Sequence, residues 1–431
     1  MANVPARAEK DLNHGRDDSR VLVHLAYRFR IYPTRVQASL LSKTFGSTRF
    51  IWNTMLEERK TWYAEHGASI GKARKTEKEC KVIHLFLKNV DSIVLQQARI
   101  DLDKAYDNFF KKRANFPRFK SRRGKQSYRT VAVGSNVRVD FAARRLKLPK
   151  LGGVTCRDGR TFTERPQRVT VSKIKSGRYF ASIGIEGDIP VVEATTVREE
   201  RVAGFDMGAR DIITGVSSRE TNPRFYRSEE NRLKRLHRRM SRKVKASRNR
   251  DKARVKLARL YDRIGNRRDD WLHKLFTSLA TRFDAVVIED LNVEGMKRWN
   301  GGFAKIATLD TAWGTFTRML EYKMVWRGKH FVKVDRFYPS SQLSSVYGHQ
   351  YQELTLDERA WTCPACGIQH DRDINAATNI TREGITLLRE KDITVISNDA
   401  TAGTAGSRAR GDRIRPATPA APIAEPGIPS L

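Results

Sequence analysis

Residues 202–208 read VAGFDMG, an apolar strand pattern interrupted by one acid, Asp206, between two glycines. A carboxylate in such a run is costly unless a partner or a cation meets it, and Gly204 and Gly208 leave room for another backbone to come close. Two more acids stand in comparable places. VVIED at 286–290 is a buried-strand pattern ending on Glu289, followed at once by Asp290. HDRDINAATNI at 370–380 puts Asp373 at the head of a helical stretch, with Asp371 competing for the same role. Strand alternation decides between Glu289 and Asp290.

Working outward from these acids, the hydrophobic periodicity predicts strands at Val202–Met207, Ile213–Ser218 and Arg224–Tyr226 and a helical region over 229–282. A strand at Ala285–Asp290, a helix at about 311–327, a strand at Phe331–Asp335 and a last helix from about Asn375 follow. The order βββαβαβα is that of an RNase H-like fold, which brings its first strand, fourth strand and final helix to one side of a sheet. Asp206, Glu289 and Asp373 would repel one another there unless divalent cations lay between them. Two Mg²⁺ ions could activate a water and stabilise the leaving 3′ oxygen of a phosphodiester.

Upstream, VLVHLAYRFRI at 21–31 reads as a strand that Pro33 ends, and Thr34 as the cap of a following helix. Helical spacing marks Val36–Leu41, then Phe50–Tyr63, and returns between Val82 and Phe110. Short β-like runs take over at Val137–Val139, Leu146–Leu148, Val169–Ile174 and Tyr179–Ile185, the last two flanking a Ser176-Gly177 hairpin signal. The expectation is a β-barrel or small sheet from 21–31 and 130–186, carrying a helical insertion, with a linker near 187–198. Polar residues 1–20 and the aromatic-free stretch from Asp399 onward are expected to be disordered.

The 431 residues suggest two or three domains, and 83 Lys and Arg against 48 acids give a net charge of +35. So large an excess repels itself unless a polyanion neutralises it. Nucleic acid is the first expectation and an anionic membrane surface the second. No apolar run is long enough to span a bilayer, and MANVPARAEKDLNHGRDDSR lacks the apolar core of a leader, so a cytoplasmic, nucleoid-associated protein is expected. The charge is concentrated. Residues 231–268 hold 17 Lys and Arg against Asp251 and Asp262. Leu233, Leu236, Met240 and Val244, then Leu257, Leu260 and Ile264, form a thin seam with a break near Ser247. That is a helical hairpin with cationic faces, on which Arg235, Arg238, Arg239, Arg242, Lys243, Arg248, Arg250, Lys252 and Arg254 would meet phosphates. At 115–129, Arg118, Lys120, Arg122, Arg123, Lys125 and Arg129 interleave with Phe116, Phe119 and Tyr128. This suits a groove where cations meet phosphates and rings stack on bases, or else an ordinary loop with anchoring aromatics.

Four cysteines cannot make a disulfide framework, and CPACG at 363–367 is half of a zinc knuckle. A closed site with Cys363 and Cys366 needs two more ligands, for which His349 and His370 are nearest in sequence. The other reading is a knuckle-shaped turn with free thiols.

Taken together, these stretches resemble the TnpB family, RNA-guided nucleases of insertion-sequence transposons related to the compact type V CRISPR effectors. YRFRIYPTRVQ, FPRFKSRRGKQSYR, GFDMGARD, LARLYDRIGNRRDDWLHKL, VVIEDLNVEGM, RFYPSSQLSS, WTCPACG and HDRDINAATNI carry the resemblance, over about 26–383. It implies a multidomain α/β protein. A β-barrel wedge domain would comprise 21–31 and 127–190, with a helical recognition lobe inserted at 32–126. A RuvC nuclease domain at 197–388 would carry a zinc-ribbon insertion at about 340–370, between disordered ends at 1–20 and 389–431. It also implies that Asp206, Glu289 and Asp373 are the RuvC acids holding two Mg²⁺ ions. A guide RNA from the transposon end would direct cleavage of double-stranded DNA beside a short motif. One departure matters: the family has a second C-x-x-C, and Ser344 and Tyr347 stand where its cysteines would be. The competing readings are a cleavage-deficient RNA-guided DNA-binding regulator and a guide-independent nuclease or transposase.

Overall fold

A computed structural model of the chain describes residues 20–67, 76–157, 159–190, 195–208, 210–292, 313–355 and 358–397. The expected disorder at 1–19 and beyond 397 lies outside the described residues. The described chain divides into two compact units, Leu22–Asp188 and the residues from Ile189 on.

In the first unit, strand β1 (Arg20–Tyr32) leads into helix α1 (Arg35–His66). Thr34 caps α1 as its sequence predicts: its hydroxyl accepts the Gln37 N–H while the Gln37 side chain accepts the Thr34 N–H, a reciprocal box. The helix runs unbroken for 32 residues where two stretches are expected. Gly46 does not end it, because its neighbours Phe45, Ser47 and Thr48 are buried and hold the face down. Gly67, at φ 63°, closes it as an αL cap. Helices α2 (Glu77–Ile83) and α3 (Ser92–Phe110) follow, with Ile51, Leu56, Cys80, Leu95 and Leu102 in a shared core.

The remaining strands of this unit are β2 (Gln126–Val131), β3 (Arg138–Asp140), β4 (Arg145–Leu148), β5 (Gly152–Arg157), β6 (Pro166–Lys173) and β7 (Tyr179–Pro190). They and β1 form one seven-stranded sheet in the order β2-β6-β7-β1-β5-β4-β3. Among the described residues nothing pairs β2 with β3, so where a β-barrel or small sheet is expected the structure has a sheet with two edges. Phe29, Ile31, Leu146, Val154, Val169 and Ile183 fill one core with Leu41 and Phe45 of α1 and Val94 of α3. Strand β5 has no counterpart in the sequence pattern, because Gly152 and Gly153 hide the alternation of Val154 and Cys156.

The second unit holds β8 (Thr196–Arg198), β9 (Val202–Phe205), β10 (Asp211–Thr214), β11 (Arg219–Thr221), α4 (Phe225–Ser241) and α5 (Arg248–Arg282). Then come β12 (Ala285–Glu289), α6 (Trp313–Val325), β13 (His330–Val334), β14 (Ala360–Thr362), β15 (Gln369–Asp371), α7 (Arg372–Arg389) and β16 (Thr394–Ile396). Strand β12 lies between β9 and β13, parallel to both. Paired N–H···O bonds between Asp206 and Thr214 join β9 to the antiparallel β10–β11 ribbon. The RNase H-like element order is therefore present, with one correction. The third strand is Arg219–Thr221, not Arg224–Tyr226, because Asn222-Pro223 turns the chain and Arg224, at φ 51°, precedes the first turn of α4. The expected linker and tail are also shorter than anticipated, since Thr394–Ile396 pairs in parallel with Thr196–Arg198.

Helix α7 lies hard against β9. A Cβ at Gly204 would stand 2.4 Å from the Thr381 nitrogen and 2.7 Å from the Ala377 oxygen, and one at Gly384 would stand 2.3 Å from a Val287 methyl. The Gly204 N–H donates to Thr381 Oγ1 at 2.8 Å. The close approach inferred from VAGFDMG is thus made by the helix that carries Asp373. No described helix is long and apolar enough to cross a membrane.

Gly204→Ala is expected to lower stability by about 1–3 kcal/mol or more, since the clash is with backbone. Gly265→Ala, in the open middle of α5 with nothing within 4 Å, is expected to raise stability by about 1 kcal/mol. Chemical denaturation of both variants checks the pair.

Candidate active site and nucleic-acid faces

Asp206 leaves the end of β9, Glu289 ends the parallel neighbour β12, and Asp373 lies in the first turn of α7. The three share one electrostatic field. Burial, then the charges of Glu289 and Asp373, push the Asp206 carboxyl up to about 7, against the Met207 N–H and the Arg372 charge. The two competing acids, Asp290 and Asp371, have partners of their own. Asp290 is taken up by Arg336 at 2.9 Å and Lys333 at 3.8 Å. Asp371 caps α7, accepting the N–H groups of Asp373 and Ile374 at 3.0 Å, and faces Arg219 at 3.5 Å. The members that act on Asp206 are Glu289 and Asp373.

Each of those two has a partner of its own. The Ser340 hydroxyl donates to Glu289 Oε1, and Arg359 lies 3.4 Å from Asp373. Ser340 is itself held from α7: Asn379 Nδ2 donates to the Ser340 carbonyl at 2.8 Å and to the Leu343 carbonyl at 2.6 Å, and Asn375 Nδ2 to the Leu343 carbonyl at 2.8 Å. Ser340, Asn375 and Asn379 are absent from the residues that the sequence singles out. The signal was there, in polar PSSQ and NAATN runs at positions that burial makes costly to leave unpaired.

Among the described residues no three His, Cys, Asp or Glu side chains stand close enough to hold a metal as placed. The donor set of Asp206, Glu289 and Asp373 nonetheless fits a hard divalent cation: it is all oxygen, and burial together with the charges of Glu289 and Asp373 makes the ionised Asp206 costly in a way that a cation would relieve.

The cationic stretches fall on both units. In the second, α4 and α5 form the expected hairpin around Leu233, Leu236, Met240, Leu257, Leu260 and Ile264, with Ser247 capping α5. Val244 drops out of the seam, 77% exposed in the turn. Arg235, Arg238, Arg239, Arg242, Lys243, Arg248, Lys252 and Arg254 are exposed. Arg250 is only partly exposed, and its Nη1 donates to the carbonyls of Met240 and Lys243 and ties the turn together.

In the first unit, the 115–129 segment is pinned to α1. Trp52 Nε1 donates to the Arg118 carbonyl at 3.0 Å, and the Asn53 amide exchanges two hydrogen bonds with the Lys120 backbone. The Lys120 ammonium sits 3.4 Å from the Trp52 ring centroid. Desolvation there pushes it down to about 8, opposed by Asp101 and reinforced by Lys125 and Arg129. Arg118, Arg122, Arg123 and Lys125 are exposed, whereas Arg129 pairs with Asp101 at 3.0 Å. Phe116 and Phe119 keep 40% and 47% of their surface exposed, but Tyr128 is a core residue packed on Phe45 and is not available to a base.

Cys363 is buried, Cys366 partly so, and His370 lies beneath Trp361 with ring centroids 4.7 Å apart. Burial pushes the His370 imidazole down, toward the neutral form. His349 is exposed, and its backbone carbonyl accepts the Ser344 N–H.

Comparison with known proteins places these features in a family. Residues 182–300 match the OrfB_IS605 family, described as "Probable transposase", 313–380 a Cas12f1-like TNB domain, and 23–68 a helix-turn-helix domain. In that last span the described residues form one strand and one long helix. A candidate RNA-guided DNA endonuclease of Streptomyces pristinaespiralis is 40% identical over 378 residues, 84% of this chain and 90% of that one. The candidate RNA-guided DNA endonuclease InsQ of Escherichia coli K12 is 32% identical over 383 residues, 84% of this chain and 93% of that one. A cryo-EM structure of a Cas12f1–sgRNA–target DNA complex aligns with a TM-score of 0.48 at 12% identity, covering 84% of this chain and 99% of that one.

In chelator, Asp206 binds a proton in the folded protein that it loses near pH 4 when unfolded. Stability is therefore expected to fall as pH rises from about 4 to 7, by at most about 4 kcal/mol. Asp206→Asn should flatten that dependence and raise the pH 8 unfolding midpoint, which thermal unfolding across pH 5–8 checks.

Proposed function

Because the chain belongs to the OrfB_IS605, TnpB-like family of RNA-guided DNA endonucleases, we propose that Asp206, Glu289 and Asp373 are its catalytic carboxylates. The observation that carries this reading is positional: Asp206 follows β9, Glu289 ends its parallel neighbour β12, and Asp373 stands in the first turn of the helix packed on β9, near enough for both to raise the buried Asp206 carboxyl. Divalent cations, Mg²⁺ by the chemistry of the donors, would be held by these three side chains. When bound they would supply an activated water and charge stabilisation at the departing 3′ oxygen.

The chain's own residues prepare that site. Asp206 must lose its carboxyl proton to accept a cation, so binding and deprotonation are coupled near neutral pH. Glu289 is oriented by the Ser340 hydroxyl and Asp373 is balanced by Arg359, so cation binding would draw both from these partners toward Asp206. Asp371 and Asp290, each held by a cation of its own, stay outside.

The α4–α5 hairpin and the 115–129 segment would grip guide RNA and target DNA through phosphates, in a salt-dependent and sequence-blind way. The β1–β7 sheet would be the wedge and α1–α3 the recognition lobe that reads a motif beside the target. A guide derived from the transposon end would then select the site by base pairing.

The test is expression with the native downstream flank, sequencing of copurified RNA, and incubation with a matching DNA library and Mg²⁺. A discrete RNA and guide-dependent cleavage are expected. Asp206→Ala should lower cleavage on the order of 10³-fold or more while sparing RNA binding. A discrete RNA with target bound but uncut would instead establish a guided DNA-binding regulator. Separately, replacing Arg235, Arg238, Arg239 and Lys243 by Gln should weaken RNA binding and reduce the log–log salt slope by about 0.7 for each phosphate left without its cation. An unchanged slope would remove the hairpin from the interface.

A further inference from the structure

The ribbon at 340–371 has a hydroxyl where its family places a ligand thiol. Ser344 is 1% exposed, and its Oγ lies 3.0 Å from His370 Nε2 and accepts the Tyr347 N–H at 3.2 Å. It also interacts with the Cys363 sulfur, as do the backbone N–H groups of Cys366 and Ala365 and the Cys366 side chain. One hydroxyl has a single proton and two lone pairs. The assignment that satisfies the partners of Ser344 has its hydroxyl donating to Cys363 Sγ while accepting from Tyr347 N–H and from the N–H of a neutral His370 protonated at Nε2.

We propose that this ribbon closes without zinc, the Ser344 hydroxyl joining its two knuckles through Cys363 and His370 in place of a metal cross-link. The donor set argues against a metal on chemical grounds. A closed zinc site wants four thiolate or imidazole ligands, and an aliphatic hydroxyl is a poor substitute for one. The nitrogen that His370 directs inward is occupied by Ser344. Tyr347, at the other thiol position, is 65% exposed, and His349 is exposed too.

Other contacts supply the cohesion that a metal would. Leu354, Trp361 and Cys363 form a small buried cluster, with Tyr351 stacked on Trp361 at 5.8 Å and Cys366 packed against it. Cys363 is fully buried in that cluster, its sulfur still met by the backbone N–H groups of Ala365 and Cys366. The first knuckle is moored to the nuclease helix, since Ser345 N–H donates to Asn375 Oδ1 at 2.8 Å and Arg382 to the Ser345 carbonyl. The same loop presents Ser340 to Glu289, so its closure matters to the site.

The test is elemental analysis of the full-length protein purified without chelator, with thermal unfolding in the presence and absence of EDTA. Wild type is expected to carry less than about one-tenth of a zinc per chain and to unfold at the same temperature with EDTA. The double variant Ser344→Cys, Tyr347→Cys, which restores the second C-x-x-C, is expected to bind about one zinc per chain. About one zinc in wild type, lost in Cys363→Ser, would overturn the proposal, as would failure of the folded double variant to take up metal. Hydrogen exchange separates the clasp from general stability. Ser344→Ala should raise exchange at 360–371 while the β9–β12 amides keep their protection, and unchanged exchange at 360–371 would rule out the role given to Ser344.

Discussion

The second unit depends on a clearance of zero. Helix α7 sits so close to β9 that its Ala377 carbonyl and Thr381 amide occupy the space a Cβ would need at Gly204, and Val287 of β12 does the same to Gly384 of the helix. The Gly204 contact is with backbone, which no rotamer can relax, and the Gly384 contact is with the β-branched Val287 side chain. These two contacts gauge α7 against the strands that end in Asp206 and Glu289. The position of Asp373 relative to both therefore follows from the missing side chains of two glycines. Asn375 and Asn379, on the same helix, then hold the loop that brings Ser340 to Glu289.

Around that frame, charge is sorted by pairing. Five acids lie near one another in sequence or space, and the two that do not act on Asp206 each have a basic partner and a structural task. Asp371 ends a helix and meets Arg219, and Asp290 closes a strand against Arg336 and Lys333. Asp211, a buried acid of β10, is likewise taken up by Thr221 at 3.0 Å and Arg219 at 3.9 Å. What remains is Asp206, whose carboxyl burial and the charges of Glu289 and Asp373 raise together, although Arg359 also pairs with Asp373.

Much of this was legible because it is written in local pattern. An acid between glycines in an apolar strand, a strand ending in two acids, and a capping threonine before a helix each announce themselves within a few residues. What was not legible depends on distant partners. Arg250 looks like any other cation of its run, and only the fold turns its guanidinium onto the carbonyls of Met240 and Lys243. Tyr128 looks like a stacking ring until Phe45 covers it. Thr394–Ile396 reads as tail because a three-residue strand has no period to detect, and its partner lies some two hundred residues upstream. The different surroundings of Glu289 and Asp290 come from Ser340 and Arg336, both more than forty residues away.

Helix α5 has a mechanical consequence. Its 35 residues span about 50 Å, and its two halves are embedded in different cores. Leu257, Leu260 and Ile264 belong to the cationic hairpin, while Leu272, Phe276 and Leu279 pack with Phe205 and Ile288, on the strands that bear Asp206 and Glu289. The hairpin is thus a cantilever rooted in the sheet, and Gly265, with open space around it, is the compliant link just above the root. Force applied to the tip reaches the strand of Glu289 along α5 through Gly265, and the strand of Asp206 also through α4 and the β10–β11 ribbon that Thr214 bonds to it.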